Sequence, residues 1–198
     1  MRRATICAIL PALAAMLPGA SPPRPLALTI VLEFRGPHSD RSVDAMKREV
    51  EAILGAGELS VNWQTRRDLA AATRDHLVVF RFKGKCILEP VGYLMDERGP
   101  MAFTYETDGH MQPFGEVACD QVTATVRPAM SGGDFAKADL LLGRALGRVM
   151  AHELFHMLSG SGGHSRQGLA AERLTGSQLI APVLEFSAED FDRIYTLP

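Results

Sequence analysis

The first half of the chain alternates short apolar runs with one stretch of helical periodicity. The first run, LALTIVLEF, is continuous and rich in β-branched residues, which is typical of a strand buried on both faces. The next segment places apolar side chains three or four positions apart, as in an amphipathic helix. Two strand-like runs follow, and the strand, helix, strand order predicts that the first two strands are parallel, with a right-handed connection. These segments are residues 26–34, 40–57, 58–63 and 76–84.

Shorter pieces further along the chain predict a hairpin and a final helix. Residues 100–106 alternate large apolar side chains with small or polar ones, which predicts an edge strand with one buried face. The sequence TDGH at 107–110 is typical of a tight turn, and residues 112–119 are expected to return as the partner strand. Serine and acidic residues at the start of 187–195 indicate a short helix there.

The longest helical pattern covers residues 139–158. Apolar side chains recur there every three or four positions without a proline, and Ser159 and Gly160 are expected to end the helix. Asp134, in the flexible lead MSGGD, is expected to be the N-cap. This helix and the earlier one should together cover the sheet.

The end of this long helix carries the sequence HELFH. Side chains four positions apart lie on one helix face, so His152 and His156 can direct two imidazole nitrogens at one metal ion. Glu153 then stands beside the pair, where its carboxylate can reach a metal-bound water without becoming a ligand. This arrangement predicts a zinc centre with Glu153 as general base.

A third ligand is needed, and the sequence offers several candidates. The segment SGSGG lets the backbone reverse after the helix, which favours His164 as the residue that returns to the metal. A carboxylate could instead complete a site of two histidines and one glutamate. The carboxylates that stay open on the sequence alone are Glu172, Glu185 and Glu189.

The run HELFHMLSGSGGH resembles the zinc signature of the metzincin metallopeptidases. In the common signature the third histidine follows the second by six positions, whereas here it follows by eight. Metzincins also place a methionine in a turn beneath the metal, but no methionine follows Met157, so Leu174 or Leu179 is expected to form that floor. The resemblance implies an α+β fold of the small zincin type. Its mixed, twisted sheet would have an antiparallel edge strand and two main covering helices, the second carrying the motif.

The resemblance also implies a function, a secreted zinc-dependent endopeptidase in which zinc activates water and Glu153 moves the proton. The edge strand would line the cleft and bind an extended peptide, which makes Phe103, Thr104 and Tyr105 the expected substrate-binding residues. The alternative function is a non-catalytic secreted zinc-binding or interaction module derived from a metallopeptidase.

The residue that would stabilise an oxyanion stays open on the sequence alone. The candidates are Tyr195, His110 and Arg166.

The net charge of the chain bears on which classes of partner it binds. The chain of 198 residues has 21 Lys and Arg against 23 Asp and Glu, a formal net charge of −2, so nothing favours nucleic acid. The expected partner is a peptide or protein substrate, as the resemblance to metzincins implies.

The N-terminus has the features of a secretory signal peptide. Residues 1–20 begin with paired arginines, continue with a short apolar core and end in small residues. The apolar core is too short to span a bilayer. We therefore expect residues 21–198 to form a single metzincin-like domain of a secreted or periplasmic protein, with no membrane span. In such an oxidising compartment Cys86 and Cys119 are expected to form a disulfide.

Overall fold

The computed structural model describes residues 26–66, 76–89 and 99–196. Within these ranges the chain is an α+β protein with one five-stranded mixed sheet. The strands are β1 (Ala27–Phe34), β2 (Ser60–Gln64), β3 (Leu77–Lys83), β4 (Ala102–Thr107) and β5 (His110–Ala118). The helices are α1 (Asp40–Gly55), α2 (Cys119–Val126), α3 (Ala138–Ser159), α4 (Gly176–Ile180) and α5 (Ala188–Tyr195). The predicted signal peptide, residues 1–20, lies outside the described residues.

The strands are arranged in the order β2-β1-β3-β5-β4. β1 is parallel to both β2 and β3, and β3 is parallel to β5, so the predicted parallel pairing of the first two strands is confirmed. β4 is antiparallel to β5 and lies at the edge, as the hairpin pattern predicts. Asp108 and Gly109 form the turn with φ angles of 52° and 77°, the positive values that a tight hairpin turn requires.

One face of the sheet packs against the helices. On β3, Val78, Phe80 and Phe82 are buried and alternate with half-buried or exposed residues, so every second side chain enters the core. The same apolar cluster contains buried residues of α1 and α3, which pack directly on each other. The long helix α3 is therefore a central element of the core.

The less exposed face of the edge strand carries the small side chains. Phe103 and Tyr105 are 39% and 41% exposed, whereas Ala102 and Thr104 between them are half-buried. The side of β4 that faces α3 carries the small residues, because the strand approaches the helix closely there: the Thr104 hydroxyl lies 3.2 Å from the backbone oxygen of Glu153. The alternation of side chains along a strand defines its two faces, but it does not show which face packs against a helix.

α3 is held against α1 by a close approach and a buried ion pair. A Cβ atom on Gly147 would lie 2.9 Å from the carbonyl oxygen of Met46, so only glycine allows this separation. The next residue, the buried Arg148, donates from Nε to Glu49 Oε1 at 2.7 Å and from Nη1 to the Gln178 carbonyl oxygen at 2.7 Å. These contacts fix the helix one turn before the histidine pair.

The boundaries of the long helix agree with the sequence prediction, but its N-cap does not. α3 runs from Ala138 to Ser159, close to the predicted 139–158, and Gly160 ends it. Asp134 instead forms a capping box with Ser131 at the start of a 3₁₀ segment, Gly132–Lys137, that precedes α3. The predicted final helix is confirmed as α5. α2 was not predicted.

Cys86 and Cys119 lie at disulfide distance, with Cα atoms 4.8 Å apart, as the sequence predicts. The bridge joins the loop after β3 to the start of α2, and it indicates an oxidising compartment. Among the described helices, none has the length and apolar character needed to cross a membrane.

Candidate metal centre

Three histidines converge at the C-terminal end of α3. His152 and His156 occupy one face of the helix, which ends at Gly160 in the left-handed conformation, with φ 58°. The turn that follows brings the ring of His164 to centroid distances of 5.3 Å from His152 and 4.7 Å from His156. The potential ligand atoms of the three rings all lie within 4.8 Å of one another. The group could therefore bind a metal ion.

The two helical histidines have their tautomers fixed by backbone carbonyls. His152 Nδ1 donates to the Leu169 carbonyl oxygen at 2.8 Å, and His156 Nδ1 donates to the Ser161 carbonyl oxygen at 2.8 Å. Because a carbonyl oxygen can only accept, each Nδ1 carries the ring proton and each Nε2 keeps its lone pair. Burial lowers the pKa of His152 to about 4 and also lowers the pKa of His156, so both rings are neutral at neutral pH.

The two Nε2 atoms then face each other at 3.1 Å. With neutral rings there is no proton between them, so neither can donate to the other and their lone pairs repel. A shared cation removes that repulsion. Zinc with bonds of about 2.0–2.1 Å in tetrahedral geometry spaces its ligand atoms about 3.3 Å apart. The spacing of this pair is compatible with two ligands of one tetrahedral metal ion.

The carboxylates considered as third ligands lie outside this cluster. Among the described residues, the metal-capable group consists of the three histidines. Glu172 lines the neighbouring cleft as an exposed side chain, and Glu185 and Glu189 are also exposed. The geometry therefore favours His164 as the third ligand.

The leucines expected beneath the metal lie in two different places. Leu174 lines the cleft, whereas Leu179 is fully buried in the core. The carbonyl oxygen of Leu169 accepts the hydrogen bond from His152, and the Leu169 side chain is also fully buried. The hydrogen bond to His152 thus comes from a short buried segment that the sequence analysis did not single out.

Glu153 lies beside the histidines and is bound by the edge strand. The Thr104 hydroxyl donates to Glu153 Oε2 at 2.8 Å. Burial raises the pKa of Glu153 to about 7, and the hydrogen bonds from Thr104 oppose that rise. A carboxyl group with a pKa near neutrality can both accept and return a proton at physiological pH.

A cleft of about 580 Å³ runs between β4 and the end of α3. Phe103 and Thr104 line it together with the three histidines and Glu153, whereas Tyr105 lines a separate depression with Phe114. The hairpin therefore brings two of the three expected substrate-binding residues to the cleft.

The three oxyanion candidates lie elsewhere. His110, Arg166 and Tyr195 are outside the described lining of the cleft. Arg173 lines it instead, and only its position after the third histidine could have indicated it from the sequence. The positively charged Arg173 lines the cleft, so it is better placed to stabilise negative charge there than the three candidates from the sequence.

Comparison with models of known protein families gives no match for this chain, and comparison with curated proteins gives none either. The arguments for function therefore rest on the geometry of the cleft and the histidine cluster.

Proposed function

We propose that the protein is a secreted zinc-dependent endopeptidase with a metzincin-like arrangement of its site. The observation that carries the proposal is the pair of Nε2 atoms on His152 and His156, 3.1 Å apart, both with their Nδ1 protons held by backbone carbonyls. His164 supplies the third nitrogen, and Glu153 stands beside the group without belonging to it. This is the donor set of a catalytic rather than a closed structural zinc site.

The residues of the cleft have separable roles in this proposal. Zinc, when bound, supplies a Lewis acid that lowers the pKa of water and polarises a carbonyl group. Glu153 accepts a proton from the attacking water and returns it to the leaving amine, which its pKa of about 7 allows. The Thr104 hydroxyl holds the Glu153 carboxylate in the cleft.

The edge strand provides the surface for an extended substrate. Among the described strands, β4 pairs with β5 alone, so its other edge presents backbone donors and acceptors next to the histidines. A peptide that adds itself to this edge as a strand would pass across the cleft. Phe103, 39% exposed on the same strand, offers an apolar contact to such a peptide.

Metal removal tests the proposal. We expect the purified zinc-loaded protein to cleave a denatured protein and a quenched peptide library, and 1,10-phenanthroline to abolish cleavage by chelation. The non-chelating isomer 1,7-phenanthroline is the matched control and should have no effect. Bound zinc without any cleavage would instead favour the non-catalytic zinc-binding module.

Replacing Thr104 with valine should lower kcat roughly 10- to 100-fold, because a hydrogen bond to a charged group contributes about 1.5–3 kcal/mol. Valine keeps the shape of threonine but cannot donate to Glu153 Oε2. Zinc affinity should stay unchanged, because Thr104 lies outside the histidine cluster. Thr104→Ser, which keeps the hydroxyl, is the control and should retain most of kcat. Equal kcat values for Thr104→Val and the wild type would remove this role from Thr104.

A further inference from the structure

The third histidine lies in a turn that has little internal support. The segment between α3 and His164 is rich in glycine, which has the largest backbone freedom to lose on ordering. His164 itself is exposed. One hydrogen bond within the turn joins the Gly163 amide to Ser161 Oγ at 3.1 Å, and another joins the Ser161 amide to the His156 carbonyl oxygen at 3.3 Å. Contacts from outside the turn must therefore help to fix the third ligand.

The His156 Nδ1 atom holds the Ser161 carbonyl oxygen at 2.8 Å, and the Ser165 amide donates to the Ala170 carbonyl oxygen at 2.8 Å. The contacts on both sides of His164 that involve a side chain come from α5. Arg193 Nη2 donates to the carbonyl oxygen of Gly163 at 2.9 Å, and Arg193 Nη1 lies 3.5 Å from Ser165 Oγ. Gly163 and Ser165 are the residues immediately before and after His164. Asp190, one turn earlier on α5 and fully buried, accepts a hydrogen bond from the same Ser165 hydroxyl.

The same arginine also contacts the zinc-motif helix. Its guanidinium group lies over the ring of Phe155, 4.5 Å from the ring centroid. Phe155 is fully buried and directly precedes His156. The Arg193 side chain thus joins the helix that carries two of the histidines to the turn that carries the third. Its distances are those of a cation–π contact and of a charge-assisted hydrogen bond.

The charge of Arg193 works against a metal ion at this place. Arg193 is close enough to His156 that its positive charge contributes to lowering the pKa of that ring, after burial and the neighbouring His164. A guanidinium group near a divalent cation repels it. On electrostatics alone, removal of Arg193 would strengthen metal binding. The contacts of Arg193 on both sides of His164 predict that its removal weakens metal binding. The direction of the change in metal affinity therefore distinguishes charge repulsion from positioning of His164.

We propose that Arg193 is a positioning residue that holds His164 against the helical pair and thereby sets the metal affinity of the cluster. The inference rests on the proposed zinc site and deepens it. Replacement of partners around a metal ligand typically costs 10–100-fold in metal affinity. Arg193→Met, which keeps an unbranched apolar side chain and removes the fork of donors, is expected to weaken zinc binding by about that factor.

The measurement is zinc affinity by competition with a chromophoric chelator, which does not depend on activity. Arg166→Met is the matched control, because Arg166 is exposed and lies two residues after His164, outside the histidine cluster. Its zinc affinity should equal that of the wild type. Should Arg193→Met fail to fold, Arg193→Lys keeps the charge but loses the planar fork, and it should weaken zinc binding in the same direction.

A double-mutant cycle with His164→Ala tests whether Arg193 acts through that ligand. Positioning predicts that Arg193→Met causes no further loss of zinc affinity once His164 is absent. Unchanged or tighter zinc binding by Arg193→Met, or losses that add fully in the double variant, would overturn the inference while leaving the metal centre intact. If His164→Ala binds zinc as well as the wild type, the third ligand of the proposed function is wrong, and the inference falls with it.

Discussion

Replacing Glu153 with glutamine is expected to lower peptide hydrolysis by about 10²–10⁴-fold, the usual contribution of a general acid–base residue. The amide has nearly the same shape as the carboxylate and can still accept the hydrogen bond from Thr104, which lies 2.8 Å from Glu153 Oε2. It cannot take a proton from water. Zinc affinity should stay within a few-fold of the wild type, because Glu153 lies outside the histidine cluster. Steady-state kinetics on a quenched peptide and zinc competition measure the two quantities.

Glu172→Gln is the matched control for this prediction. Glu172 is the other glutamate that lines the described part of the cleft, and the substitution is chemically identical. Its turnover should remain close to that of the wild type. Retained turnover in Glu153→Gln would contradict the proposed role of Glu153, and an equal loss in both variants would indicate a general effect of charge in the cleft.

Replacing His156 with alanine should weaken zinc binding by roughly 100-fold and abolish hydrolysis. Zinc sites of three or four ligands bind with about 10–16 kcal/mol, so one ligand contributes roughly 3 kcal/mol, or about a 100-fold change in zinc affinity. The imidazole is buried, with its Nδ1 held by the Ser161 carbonyl oxygen, and α3 is fixed through other residues one to two turns away. The helix should therefore keep its place without this ring.

The control for this second prediction is His110→Ala, since His110 is exposed at the start of β5 and lies outside the described lining of the cleft. It should bind zinc and cleave peptides like the wild type. Comparison of the far-ultraviolet circular dichroism of the metal-free proteins separates loss of a ligand from loss of the fold. A folded His156→Ala variant that still binds zinc at wild-type affinity would contradict the ligand assignment.

The sequence predicts the elements that depend on local patterns. The apolar run of β1, the hairpin turn at Asp108 and Gly109, and the limits of α3 each follow from periodicity or turn chemistry within a short stretch. α2 does not follow, because its sequence CDQVTATV is short and rich in β-branched residues that favour strands. Its position is fixed by tertiary contacts instead, including the disulfide at Cys119.

In the candidate site, too, the sequence predicts the residues that depend on local spacing and misses those that depend on tertiary packing. The spacing of His152 and His156 places both rings on one helix face, which is a local property. Thr104 lies 49 residues from Glu153 in sequence, and Arg193 lies 30 residues from Gly163. No pattern within one segment indicates such pairs, because they depend on how β4 and α5 pack around the end of α3.

X-ray absorption at the zinc edge of the zinc-loaded protein tests the central claim most directly, since it counts the imidazole ligands. The account predicts three imidazole nitrogens at about 2.0–2.1 Å and one further light atom, with one imidazole lost in His164→Ala. A wild-type spectrum with two imidazoles, or one that His164→Ala leaves unchanged, would contradict it.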